Sequence, residues 1–228
     1  MAVVALASVT LNAVNPMTDF LMGRDSSLKV RNYLDSFLLE KVGKEKKVSD
    51  ASVKRMFDMV ATAADDGADA VLITCTIFSP YTEVFSKALS KPVISPDQAM
   101  LDTVATKGGK TAIICTFIGT VETTRRMYQS RCRAAGVPED VDMYVAEGAL
   151  DALNAGDWDT FHAKIQEKVR ALDAEYDNIV LAQISMAGAA KGLVLQHASL
   201  FTSPESAYQT LRRVLNIEAA ESENEEAT

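Results

Sequence analysis

Four short runs of consecutive aliphatic residues, each followed by small hydroxyl-bearing or amide residues, constrain this chain most. They fall at 3–9, 70–74, 111–115 and 178–182. A strand apolar at every position has both faces covered, the signature of a parallel sheet flanked by helices. Longer amphipathic stretches separate these runs. The periodicity predicts helices over 28–41, over 49–65 with Ser49 as N-cap, over 80–89 and over 97–106. Further helices are predicted over 121–135, 147–154, 158–176 and 186–194, and a last one begins at Pro204. Shorter strands are expected at 91–95, 141–145 and 200–202. Strands alternating with helices in this way define an α/β protein with parallel sheets. The alternation restarts after residue 96, which suggests two stacked βα halves: 1–96 plus 199–217, and 97–198. Residues 218–228 are acidic and poor in apolar side chains, and are expected to be a disordered tail.

Composition removes several classes of function. Lys and Arg number 23 against 31 Asp and Glu, a net charge of -8, which argues against a nucleic-acid surface or an anionic membrane as partner. No apolar run reaches the roughly 18 residues that a membrane-spanning helix needs. The first residues lack the basic start and cleavage site of a secretion signal, so a cytoplasmic protein is expected. Three cysteines are too few for a disulfide framework, and two histidines argue against a zinc site.

In parallel sheets, ligands sit beyond the carboxyl ends of the strands. There the sequence reads Thr10-Leu-Asn-Ala-Val-Asn15-Pro-Met-Thr18, Cys75-Thr76-Ile-Phe-Ser-Pro80, Thr116-Phe-Ile-Gly-Thr120 and Gln183-Ile-Ser185-Met-Ala-Gly188. Hydroxyls and helix-start N–H groups suit a carboxylate. Cys75, at a strand end before a helix, is the candidate acid/base, its thiol pKa expected to be lowered by the helix N-terminus. The alternative is a small buried hydrophobe. Cys115 and Cys132 fall inside apolar patterns and read as core, and His162 and His197 read as structural or surface residues. Ser185 lacks the glycines of a nucleophile elbow. Gly108-Gly-Lys-Thr111 precedes a strand, the wrong side for a phosphate loop.

The chain resembles the aspartate/glutamate/hydantoin racemase superfamily from Val3 to about Val214. The resemblance is carried by Gly67-Ala-Asp-Ala-Val-Leu-Ile-Thr-Cys75-Thr76, Lys91-Pro-Val-Ile-Ser-Pro-Asp-Gln-Ala-Met100 and Thr116-Phe-Ile-Gly-Thr120, with support from 147–157 and 180–187. It implies two pseudo-symmetric halves with the active site between them, no cofactor and a homo-oligomer. It also implies one cysteine on each face of a substrate carbon next to a carboxylate or carbonyl. Cys75 matches the first of these, Thr76 a residue that holds the carboxylate, and Asn15, Thr18, Thr116 and Thr120 resemble substrate-loop residues. At the second cysteine this chain departs from the pattern. The matching position is Gln183, or Ser185 with the register slipped by two, and neither titrates near neutral pH.

Three readings follow: an isomerase whose second proton carrier is another group, a single-cysteine decarboxylase, or a carboxylate-binding protein without turnover. The second resembles the arylmalonate decarboxylases, where the retained cysteine is the other one. A small carboxylate or cyclic amide is the expected ligand. The loop after the first strand lacks Arg and Lys, and Arg24, Arg125 and Arg126 are the basic residues nearest in sequence to the predicted loops, which favours ligands with one carboxylate or none.

Overall fold

A computed structural model describes residues 1–217; the expected acidic tail at 218–228 lies outside the described residues. The first half runs β1 (Ala2–Ser8), α1 (Leu11–Arg24), β2 (Leu28–Leu34), α2 (Ser36–Glu45), α3 (Asp50–Asp65), β3 (Ala70–Ile73), a 3-10 turn (Thr76–Tyr81), α4 (Thr82–Leu89) and β4 (Val93–Ile94). The chain continues with α5 (Pro96–Lys107), β5 (Thr111–Cys115), α6 (Ile118–Ala135), β6 (Val141–Val145), α7 (Ala149–Asn154) and α8 (Trp158–Leu172). It closes with β7 (Asn178–Leu181), a second 3-10 turn (Ile184–Ala190), β8 (Ser199–Thr202) and α9 (Ser203–Leu215). The strands form two all-parallel four-stranded sheets in matching order, β2-β1-β3-β4 and β6-β5-β7-β8. The central strands β1, β3, β5 and β7 are the apolar runs of the sequence, and their residues from Val4 and Ala70 onward and throughout β5 and β7 are buried.

The halves exchange helices. α5 leaves the first sheet after β4 yet buries Met100, Leu101 and Val104 against Ile113 and Cys115 of the second. α9 leaves the second sheet after β8 and buries Ala207, Tyr208 and Leu211 against Val4, Leu6 and Leu72 of the first. The expected boundary is therefore corrected: β8 pairs with β7 in the second sheet, and only α9 returns to the first. A buried Tyr208 hydroxyl that donates to Asp25 Oδ2 at 3.2 Å helps to fasten α9. Tyr208→Phe is expected to cost about 2 kcal/mol in urea unfolding at neutral pH, the usual net worth of a hydrogen bond to a charged group.

Three predicted elements differ. Residues 28–41 are a strand followed by the start of a helix, not one helix. β2 is an edge strand paired only with β1, so it carries Lys29, Arg31 and Asn32 and lacks the apolar run that marks the central strands. The Asp35 carboxylate accepts from Leu38 N–H at 3.3 Å and starts α2. Residues 10–18, read as a polar loop or helix start, belong mostly to α1, with Pro16 inside it. The missing Pro16 N–H is outweighed by burial of Ala13, Met17 and Leu21 on one face of α1. The helix expected over 186–194 is the second 3-10 turn.

Candidate functional site

The strand order reverses between β1 and β3 and again between β5 and β7, the switch points where α/β sheets place ligands. A cavity of about 700 Å³ opens at the carboxyl ends of those four strands, between the halves. Cys75 and Gln183 face it from corresponding places. Each is the second residue after the third strand of its sheet, each precedes a 3-10 turn, and each has extended backbone (φ -134, ψ 114 and φ -133, ψ 142). Gln183 is thus the internal-symmetry mate of Cys75.

Cys75 is 8% exposed. Burial pushes its thiol up to about 12, with the charge of Asp97 adding to the rise, against the opposing pull of the Ile77 and Phe78 N–H groups. The expected lowering is corrected: a single 3-10 turn supplies two N–H groups but too little field to offset burial. The resting side chain at neutral pH is therefore a thiol.

Gln183 is held by Thr116, whose N–H and Oγ both donate to its Oε1 at 2.7 Å. A backbone N–H can only donate, so the amide oxygen must face Thr116 and the amide NH2 is left for the cavity. Thr120 also lines the wall but donates its own hydrogen to the Phe117 carbonyl at 2.8 Å. Gly119 lets the Phe117 ring fold back over the start of α6, since a Cβ there would lie 2.5 Å from that ring. Ser185 lines the cavity beside Gln183.

Of the expected site residues, Cys75, Thr76, Thr116, Thr120, Gln183 and Ser185 come together here, whereas Asn15 and Thr18 do not line the cavity. The helical path of α1 leaves Asn15 exposed and gives the Thr18 hydroxyl to Asn32 Oδ1 at 3.2 Å. Thr10 and Asn12, nearer the end of β1, take their place in the wall.

Further lining residues escape a reading of strand ends. Leu39 and Val42 of α2 and Leu150 and Leu153 of α7 form aliphatic walls from corresponding helices of the two halves. Lys46 and Lys47 enter from the connection after α2, with Lys46 in the left-handed region at φ 53. The cations nearest the cavity are thus not those nearest the predicted loops in sequence: Arg24 pairs with Glu205 and Arg126 with Glu122 on the surface. Asp97, at the start of α5, is the one carboxylate in the wall among the described residues. It is 5% exposed and its Oδ2 accepts from Thr76 Oγ at 2.6 Å. Burial pushes its carboxyl up to about 6, and the Thr76 bond only partly opposes this. Among the described residues, no cluster of three or more His, Cys, Asp or Glu side chains could hold a metal ion.

A folded-state pKa raised above the unfolded value makes Asp97 a stability cost that develops as pH rises from 3.8 to about 6. Asp97→Asn is expected to be more stable than the parent by about 3 kcal/mol at about pH 8, an advantage that shrinks towards zero near pH 4. Urea unfolding at both pH values checks it.

A model of the Asp/Glu/Hydantoin racemase family matches residues 32–201, and the chain belongs to that family. Among solved structures it is similar to the aspartate racemase of Picrophilus torridus, with a TM-score of 0.73 at 12% identity over 95% of each chain. It is also similar to the allantoin racemase of Klebsiella pneumoniae, with a TM-score of 0.69 at 13% identity over 100% of this chain and 95% of that one. The glutamate racemase of Francisella tularensis, solved with D-glutamate, gives a TM-score of 0.68 at 14% identity over 99% of this chain and 86% of that one. At such identities the likeness is one of fold. No curated protein matches the chain by sequence.

Proposed function

We propose that the chain is a cofactor-independent isomerase that removes and returns a proton at a carbon next to a carboxylate or carbonyl. The observation that carries this reading is the pairing of Cys75 and Gln183 at corresponding positions around one cavity. Cys75, once its thiol proton has passed to solvent, acts as acid/base on one side of the carbon, and a water or a substrate group carries the proton on the other. Gln183 turns its amide NH2 to the developing oxyanion, where a fixed donor stabilises an enolate better than the ground-state carbonyl. The substrate carries a carboxylate or cyclic amide together with an apolar group that fits the Leu39, Val42, Leu150 and Leu153 walls.

A second reading has its own support. Cys75 rests as a thiol and Gln183 cannot titrate near neutral pH, so proton donation to a carbanion made by loss of carbon dioxide needs no thiolate to start. Chiral chromatography of single enantiomers of amino acids and hydantoins, beside carbon dioxide release from substituted malonates, separates the two. Racemisation supports the isomerase, and carbon dioxide release with a single product enantiomer supports the decarboxylase. Binding without either product would contradict both.

A further inference from the structure

The hydrogen bond between Thr76 and Asp97 has a consequence for any anion that enters the cavity. A threonine hydroxyl has one hydrogen. With Asp97 ionised, that hydrogen is committed to Oδ2 at 2.6 Å, and a ligand oxygen beside Thr76 meets only lone pairs. A protonated Asp97 reverses the bond: its own O–H donates to Thr76 Oγ, and the threonine hydrogen is free to point at the ligand. Resting on the reading of the cavity as a carboxylate or enolate site, we infer that Asp97 is a positioning residue that takes up one proton from solvent as an anionic ligand binds, and thereby converts Thr76 into a donor to that ligand.

Several observations support this. Both side chains are more than nine-tenths buried and both line the cavity. Asp97 has no ion-pair partner among the described residues, so a second negative charge placed beside it favours its neutral form. The fold does not demand that a carboxyl there be buried. Ser203-Pro204-Glu205 opens α9 as Ser95-Pro96-Asp97 opens α5, yet Glu205 points outward to Arg24 at 3.6 Å.

The groups that face Asp97 leave it the titrating partner. Cys75 and Cys115 feel its charge from the ends of β3 and β5, and burial keeps both thiols neutral. α6 offers hydroxyls to the cavity, and its Arg131 lies 3.5 Å from Asp102, farther along α5. β8 carries no charged side chain. Besides Glu205, α9 directs Tyr208 to Asp25, and Lys46 and Lys47 line the cavity.

Calorimetric titration of the full chain with phenylacetate and with L-aspartate, in phosphate and in Tris, reads proton uptake directly. At about pH 8 roughly one proton is expected to enter per anion bound, and affinity should fall about tenfold per pH unit above the Asp97 midpoint. In Asp97→Asn the amide can always donate to Thr76, so uptake disappears and affinity becomes flat with pH. Thr76→Val should weaken binding even at about pH 5, by roughly tenfold. Three results would overturn the inference: binding to the parent without uptake, uptake undiminished in Asp97→Asn, or no binding of either anion at about pH 5. Binding with uptake but without turnover would sink the catalytic reading alone and leave the role of Asp97 standing.

Discussion

Cys75→Ala is expected to lower turnover by about a thousandfold or more, because it removes the side chain that carries the proton, while the far-ultraviolet circular dichroism stays unchanged. The expectation separates chemistry from packing. The thiol sits at the wall of an open cavity, so its loss leaves no sealed void and costs about 1 kcal/mol of stability. Cys75→Ser adds a control, since it keeps the shape but carries a hydroxyl that does not ionise in the accessible range. Both variants should be inactive and both folded. An active serine variant would mean that Cys75 supplies shape, not a proton.

Gln183→Leu is the second large effect, a loss of about 10²–10³ in kcat/KM. Two separate things are removed. The cavity loses its amide donor, and the buried Thr116 N–H and hydroxyl lose their acceptor, which adds about 1–3 kcal/mol of destabilisation. Gln183→Glu takes them apart. A carboxylate still accepts from Thr116, so the fold is kept, but it offers the ligand an anion in place of a donor. Activity should fall in both variants, and unfolding free energy should fall only in the leucine one. Unchanged kcat/KM in the glutamate variant would show that the amide NH2 does not face the reacting group.

Much of this arrangement was legible in the sequence. The four buried central strands announce themselves as uninterrupted apolar runs, and the rule that ligands gather past their carboxyl ends leads to Cys75, Thr116 and Gln183. The edge strand β2 was hidden because it pairs with β1 alone, and its partly exposed faces carry charged residues in place of a continuous apolar run. The α1 helix was obscured by Asn15 and Pro16, whose local preference yields to burial of Ala13, Met17 and Leu21. Asp97 lies in the stretch that carries the family resemblance, yet an acidic residue in the first turn of a helix reads as a simple partner of the helix dipole. Its aim into the cavity depends on α5 crossing to the second sheet. The aliphatic walls and the two lysines come from helices and connections after edge strands, which only the assembled sheets bring to the same place.

Proton NMR in deuterated water tests the central claim most directly. Purified protein is incubated with single enantiomers of amino acids and hydantoins, with Cys75→Ala alongside. The account predicts deuterium at the carbon next to the carboxylate or carbonyl of at least one of them, and no incorporation with the variant. Incorporation that survives the loss of Cys75, or ligands that bind yet never exchange that proton, would contradict it.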